Sequence, residues 1–293
     1  MSVTAAMVKE LRQRTGSGMM ECRKALRETE GDMDLAIENM RKAGLAKADK
    51  KSSRIAAEGR IAVAQSADTK SAVIIDVNCE TDFVAKGDTF KEFANAIAEA
   101  ILASDVSTLE QANELALADG KTIDETRRGL ISKLGENITL RRFQKVATEG
   151  GTGFYLHGEK IGVLVDLAKA DSDLAKDVAM HIAASKPQCV AEADVAAETI
   201  EKEKAIFVAQ AEESGKPAAI IEKMIGGRIR KFLAEITLEG QAFIKDDKVT
   251  VGKLVSGKDN KVLNFIHLEV GEGIEKAEGD FASEVMAQIR GEA

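Results

Sequence analysis

Ala72-Val-Ile-Ile-Asp-Val77 returns further along the chain as Gly162-Val-Leu-Val-Asp-Leu167, and Asp88-Thr-Phe-Lys-Glu-Phe-Ala-Asn-Ala-Ile-Ala98 returns as Asp173-Leu-Ala-Lys-Asp-Val-Ala-Met-His-Ile-Ala183. The first pair is a near-continuous apolar run, as expected for a buried strand. The second pair is amphipathic at helical spacing: Phe90, Phe93, Ala94, Ile97 and Ile101 form one stripe. A strand followed by a helix, twice in one chain, reads as an internal repeat. The strands are offset by 90 residues and the helices by 85. The first copy therefore holds five extra residues between strand and helix, within Glu80-Thr-Asp-Phe-Val-Ala-Lys-Gly87. Each copy also has a preceding strand (Arg60–Ser66 and Phe154–His157) and a later one (Ile138–Val146 and Lys261–Val270). The expected core is α+β: two related halves, each a small antiparallel sheet with helices on one face.

Outward from this repeat, residues 1–45 read as three short helices ending at Gly16, Gly31 and Gly44, since glycine accepts the left-handed closing conformation. Asp32 is a candidate N-cap for the third. Residues 41–54 are basic and poor in large apolar side chains, which suits a solvated linker or exposed helix tail. Thr122-Ile-Asp-Glu125 reads as a capping box for a helix through Leu134. Residues 191–238 are helical in pattern, with Ile221, Met224, Ile225, Ile229, Phe232, Leu233 and Ile236 on one stripe and a break at Gly215-Lys-Pro217. Two antiparallel helices joined there would make a coiled-coil arm. Gly279–Ile289 reads as a terminal helix.

Composition narrows the function. The 293 residues suit two to four modules. Aromatics are 4% and Trp is absent, so the core is built from Ala, Ile, Val, Leu and Met. The net charge of −8 argues against direct nucleic-acid binding, which draws on Lys and Arg. Cys22, Cys79 and Cys189 lack zinc or redox spacing and read as reduced thiols of a cytoplasmic chain. No leader and no run of about 18 apolar residues is found, so neither a signal peptide nor a membrane partner is expected.

Catalytic patterns are missing. No phosphate loop and no dinucleotide fingerprint occurs; Gly271-Glu-Gly273 follows a strand but lacks the third glycine and the helix. His157, His181 and His267 have no partner at metal-ligand spacing, so no metal, no cofactor and no catalytic residue is expected. His181 lies in an apolar helix stripe and reads as a core histidine; His157 closes a strand before Gly158. The extra segment of the first copy carries Phe83 between Asp82 and Val84. An aromatic at a loop tip is either a cap on its own core or a hot spot for a partner's pocket.

Several long motifs, in order and spread over almost the whole chain, resemble the bacterial translation elongation factor Ts family. They are Val8-Lys-Glu-Leu-Arg-Gln-Arg-Thr-Gly-Ser-Gly-Met-Met-Glu-Cys-Arg-Lys-Ala-Leu26, Ile37-Glu-Asn-Met-Arg-Lys42, Thr81-Asp-Phe-Val-Ala-Lys86 with Phe90, His157-Gly158, Met180-His-Ile-Ala-Ala-Ser-Lys-Pro187 and Val270-Gly-Glu-Gly-Ile-Glu-Lys276. The sequence departs from the family pattern at Gly87-Asp88, and Gly226-Gly227 softens the arm. The resemblance implies a ubiquitin-associated-like head with its linker (1–55), a first core half (56–148), a second core half (149–190 and 239–275), the coiled-coil arm (191–238) and a C-terminal module (276–293). It implies a guanine nucleotide exchange factor, not an enzyme, that binds elongation factor Tu, dislocates Mg²⁺ in that partner and releases GDP. Thr81, Asp82, Phe83 and Val84 match the family's Mg²⁺-dislocating segment; Arg14, Met19, Met20, His157 and Phe281 match partner-binding positions. The rival is a helical scaffold that tethers partners without affecting nucleotide.

Overall fold

A computed structural model of the chain describes residues 3–212 and 217–275. They fall into two compact units, one of residues 3–62, 75–143 and 269–275, the other of residues 63–74, 144–212 and 217–268. The fold is α+β, with helices and small sheets throughout.

The first unit opens with helices α1 (Ala5–Thr15), α2 (Met19–Glu28) and α3 (Met33–Lys51). Thr4 caps α1 by accepting from Met7 N at 3.3 Å, and Gly16 closes it at φ +67°. Asp32 caps α3 by accepting from Leu35 N at 2.9 Å. Val8, Leu11, Cys22, Ala25, Leu26 and Ala36 form the core of the bundle. The expected stop at Gly44 is wrong, because α3 runs on to Lys51. The physical reason is packing: a Cβ at Gly44 would lie 2.9 Å from Ser132 Oγ. This glycine lets α3 approach a neighbouring helix, and most of the basic stretch is helix, not linker.

Strands β1 (Glu58–Gln65) and β2 (Ser71–Cys79) follow, then α4 (Asp82–Lys86), α5 (Asp88–Leu102), α6 (Leu109–Asn113), α7 (Ile123–Leu134) and β3 (Ile138–Ala147), in a sheet ordered β1-β2-β3. The expected capping box is present at Thr122 and Glu125. The whole predicted stripe of α5 is buried. Asp76 interrupts the apolar run of β2 yet is fully buried. Arg142 Nε lies 3.1 Å and Arg141 Nη1 3.5 Å from its carboxylate. Burial pushes the Asp76 carboxyl up, against the pull of Arg142 and then Arg141.

The second unit holds β4 (Gly151–His157) and β5 (Ile161–Leu167), which pair antiparallel, and α8 (Ser172–Ser185), which packs on both. A 3-10 turn at Glu192–Asp194 leads to α9 (Ala197–Glu212) and α10 (Ala218–Ile236), which pack together. Arg228 donates to Gln210 Oε1 at 2.8 Å and sits 5.8 Å above the Phe207 ring. Between the arm and the last strand lie β6 (Ala242–Phe243), β7 (Asp246–Thr250) and α11 (Val251–Ser256), elements too short to show a period in the sequence. Finally β8 (Val262–Glu269) completes the order β4-β5-β8. Val163, Val165, Leu174, Val178, Ile182 and Phe243 are among the side chains of this core. His181 is fully buried, as expected for a core histidine. Among the described residues no helix is long and apolar enough to cross a membrane.

Candidate functional site

The extra segment of the first repeat is not the irregular loop expected. It is a single helical turn, α4, entered through the bond from Ala85 N to Thr81 O at 3.2 Å. Thr81, in extended conformation, is its N-cap and accepts from Val84 N at 3.4 Å. Gly87 ends α4 and begins α5; a Cβ there would lie 3.2 Å from Val84 O, so the two helices turn tightly at this point.

Phe83 is 85% exposed. A cap on its own core is therefore excluded: among the described residues nothing in its own unit covers the ring. Burying a phenylalanine is worth about 1.5–3 kcal/mol, and the folded chain forgoes nearly all of it here. Asp82 is half-buried and accepts from Lys86 Nζ at 2.7 Å, one turn on. Val84 is half-buried and Ala85 fully buried, so one side of the turn is anchored while Phe83 points away from it.

Both ends of the turn are tied down, the start to the α7–β3 connection and the end to β1. Glu136 accepts from Thr81 N at 2.9 Å with one carboxylate oxygen and from Thr81 Oγ1 at 2.6 Å with the other. Arg60 Nη1 donates to Ala85 O at 3.1 Å. A reciprocal tie lies alongside, where Glu80 accepts from Asn137 N at 2.6 Å. Asn137 Nδ2 in turn donates to Arg54 O at 2.8 Å and Ser52 O at 3.3 Å. The Cys79 thiol donates to Thr81 O at 3.1 Å. Burial, reinforced by the Glu136 carboxylate, pushes that thiol up to about 12, so it stays protonated and inert. Sequence reasoning missed Glu136, Arg60 and Asn137. Glu136 is 55 residues from Thr81, and no local pattern joins them.

The other expected positions lie elsewhere. Arg14 is exposed near the end of α1, 2.6 Å from Glu10 and 3.8 Å from Asp34. Met19 and Met20 open α2 and are 58% and 75% exposed, although neighbouring Cys22 is fully buried. His157 belongs to the second unit; it is exposed at the end of β4, and its Nδ1 lies 3.2 Å from Tyr155 Oη. Phe281 and the expected terminal helix lie outside the described residues. Thr81, Asp82, Phe83 and Val84 thus share one turn, while Arg14, Met19 and Met20 sit at the α1–α2 corner. Among the described residues no group of three or more His, Cys, Asp or Glu side chains is placed to hold a metal ion.

Residues 80–272 match the family model described as elongation factor TS. The match begins at Glu80, immediately before the Thr81 turn. The chain is also 60% identical over 291 residues to the elongation factor Ts of Methylococcus capsulatus, covering 99% of each. It is 59% identical over 296 residues to that of Thioalkalivibrio sulfidiphilus, covering 99% of this chain and 100% of the relative. Identity to the elongation factor Ts of Legionella pneumophila strain Philadelphia 1 is 52% over 289 residues, with 99% of each covered.

Proposed function

The chain belongs to the elongation factor Ts family, and on that premise we propose that it binds elongation factor Tu in its GDP-bound form and accelerates GDP release, so that GTP can bind during translation elongation in the cytoplasm. The observation that carries this reading is the 85% exposure of Phe83 on a turn tied down at both ends. A large apolar side chain held in water by a rigid mount is built to enter something else.

GTPases hold GDP through backbone donors and a bridging Mg²⁺. Mg²⁺ tolerates little departure from octahedral geometry, so a small shift of its ligands weakens it sharply. Phe83 acts as a wedge between elements of the partner and displaces those that hold the ion. Asp82 meets the displaced elements or repels negative charge on the phosphate side; Val84 shapes the turn and Thr81 holds it. No bond is made or broken in this chain. Exchange follows from linkage alone: the factor by which this protein weakens GDP is the factor by which GDP weakens this protein.

Residues 1–55, as a ubiquitin-associated-like head, dock on the GTPase domain through Arg14, Met19 and Met20. Residues 56–148 carry the wedge, and residues 149–190 with 239–275 touch another domain of the partner near His157. Residues 191–238 form the coiled-coil arm, and residues 276–293, with Phe281, add a further contact to the GTPase domain.

The test is release of fluorescent GDP from purified elongation factor Tu at fixed Mg²⁺. Acceleration by this chain supports exchange. Binding with an unchanged GDP off-rate would leave a scaffold in its place.

A further inference from the structure

We infer that Glu136 is the positioning residue of the exchange turn: its carboxylate fixes the orientation in which α4 presents Phe83, and it acts on GDP release through Phe83. The inference rests on the reading of α4 given above. A one-turn helix is not stable by itself, because the first turn fixes several residues for one hydrogen bond. The bond that enters α4, Ala85 N to Thr81 O, is 3.2 Å, and the cap bond from Val84 N to Thr81 Oγ1 is long at 3.4 Å. What holds the first residue of the turn must come from outside it.

Glu136 supplies that hold. It spends both carboxylate oxygens on Thr81, one on the backbone N–H and one on the hydroxyl, at 2.9 and 2.6 Å. Bonds to a carboxylate are about twice as strong as neutral ones. The mount is itself rigid. Gly135 closes α7 at φ +83°, Glu136 follows, and Asn137 is buried and bonded through Glu80 and the Arg54 carbonyl. The two carboxylates divide the work. Glu80 ties the end of β2 to the start of β3 through Asn137 N, which is a sheet contact. Glu136 reaches the N-cap whose hydroxyl orders Val84, so it is the carboxylate that ties the α7–β3 connection to the residues flanking Phe83.

A turn freed from Glu136 still carries Phe83 but presents it in many orientations, and the ordering cost falls on the insertion step. Docking through the rest of the surface is unaffected. The experiment is a cycle of full-length variants in the fluorescent-GDP release assay, each at several concentrations of exchange factor. Glu136→Ala should lower the maximal release rate about 10-fold, the equivalent of one charge-assisted hydrogen bond. The half-saturating concentration should stay within about 2-fold of the parent, a change small against that loss. Glu136→Gln should recover most of the rate, because its amide oxygen accepts from Thr81 N and its amide nitrogen donates to Thr81 Oγ1. In the Phe83→Ala background, Glu136→Ala should cost less than about 2-fold, since both changes act on one step.

An equal loss in both backgrounds would show that Glu136 acts elsewhere and would overturn the inference. So would a loss confined to the half-saturating concentration. If Glu136→Ala does not fold, Thr81→Val in the same cycle removes the hydroxyl between Glu136 and Val84; it should give a smaller loss that is again absent without Phe83, and an equal loss in both backgrounds overturns the inference here too. The two levels of failure differ. If the unmodified chain does not accelerate release, the exchange reading fails and this inference with it. If it does, Phe83→Ala lowers the driven rate strongly, and both Glu136→Ala and Thr81→Val match the parent, only the inference fails.

Discussion

Replacing Gly59 by alanine should destabilise the first unit sharply, and the structure sets the size of the effect. A Cβ at Gly59 would lie 2.2 Å from Val77 O, 2.8 Å from Asn78 Cα and 3.1 Å from the Val77 carbonyl carbon. All three are backbone atoms of β2, so no side chain can rotate away. Strand β1 would have to part from β2 by about 1 Å or more to reach ordinary contact. It would do so beside Asn78 Nδ2, which donates to Glu58 O at 3.1 Å. Overpacking of this kind costs about 1–3 kcal/mol. The backbone at φ +151° adds strain for any residue with a Cβ, and a total of about 2–5 kcal/mol follows. With no Trp and a single Tyr in the chain, far-ultraviolet circular dichroism in urea is the suitable assay. The midpoint of the first unit should fall by about 1–2 M. Gly227 is the internal contrast. It lies inside α10 with nothing within 4 Å of its Cβ position, so Gly227→Ala should instead stabilise by about 0.5–1 kcal/mol. A parental midpoint for Gly59→Ala, or an earlier midpoint for Gly227→Ala, would refute the reasoning.

Two titratable groups give further expectations. Burial pushes the His181 imidazole down, although its bond to Gln241 pulls the other way. Its Nδ1 accepts from Ile244 N at 3.2 Å, so the ring is neutral with the proton on Nε2, 2.9 Å from Gln241 Oε1. The folded state therefore binds a proton less readily than the unfolded one. The stability this contributes is full above the unfolded value of about 6.5 and is lost as pH falls from there through the folded value. Urea midpoints measured between pH 7.5 and 5 should decline, and His181→Gln should flatten that part of the decline; an unchanged slope in the variant would assign it to other groups. Cys79, with its thiol pushed up to about 12, should resist iodoacetamide at pH 8 in the folded chain and react once unfolded. Peptide mapping that finds Cys79 labelled as fast in the native chain as after unfolding would contradict this.

Much of the fold is legible in the sequence wherever one physical rule acts alone. The stripe from Phe90 to Ile101 is buried as its spacing requires, and Thr122 with Glu125 makes the expected box. The failures come where a distant partner decides. Gly44 carries the local mark of a helix end, yet α3 passes through it because Ser132 lies against it. Asp76 sits in the most apolar run of the repeat, and only the arginines of β3, more than sixty residues on, explain how it stays buried there. The candidate site divides in the same way. Its position was legible as the extra residues of the first repeat copy, and Phe83 as its one large apolar side chain. That the segment is a helical turn and not a loop, and that Glu136 and Arg60 hold it, depends on residues 55 and 25 positions away that carry no local signal.

The measurement that bears most directly on the account is the rate of fluorescent-GDP release from elongation factor Tu driven by Phe83→Ala, compared with the parent chain at saturating concentration. A wedge that contributes about 2 kcal/mol or more predicts a loss of roughly 30-fold or more in the driven rate. The variant should keep the parent's far-ultraviolet spectrum and urea midpoint, because the side chain it removes is 85% exposed. A folded Phe83→Ala chain that still drives release at the parental rate would contradict the account.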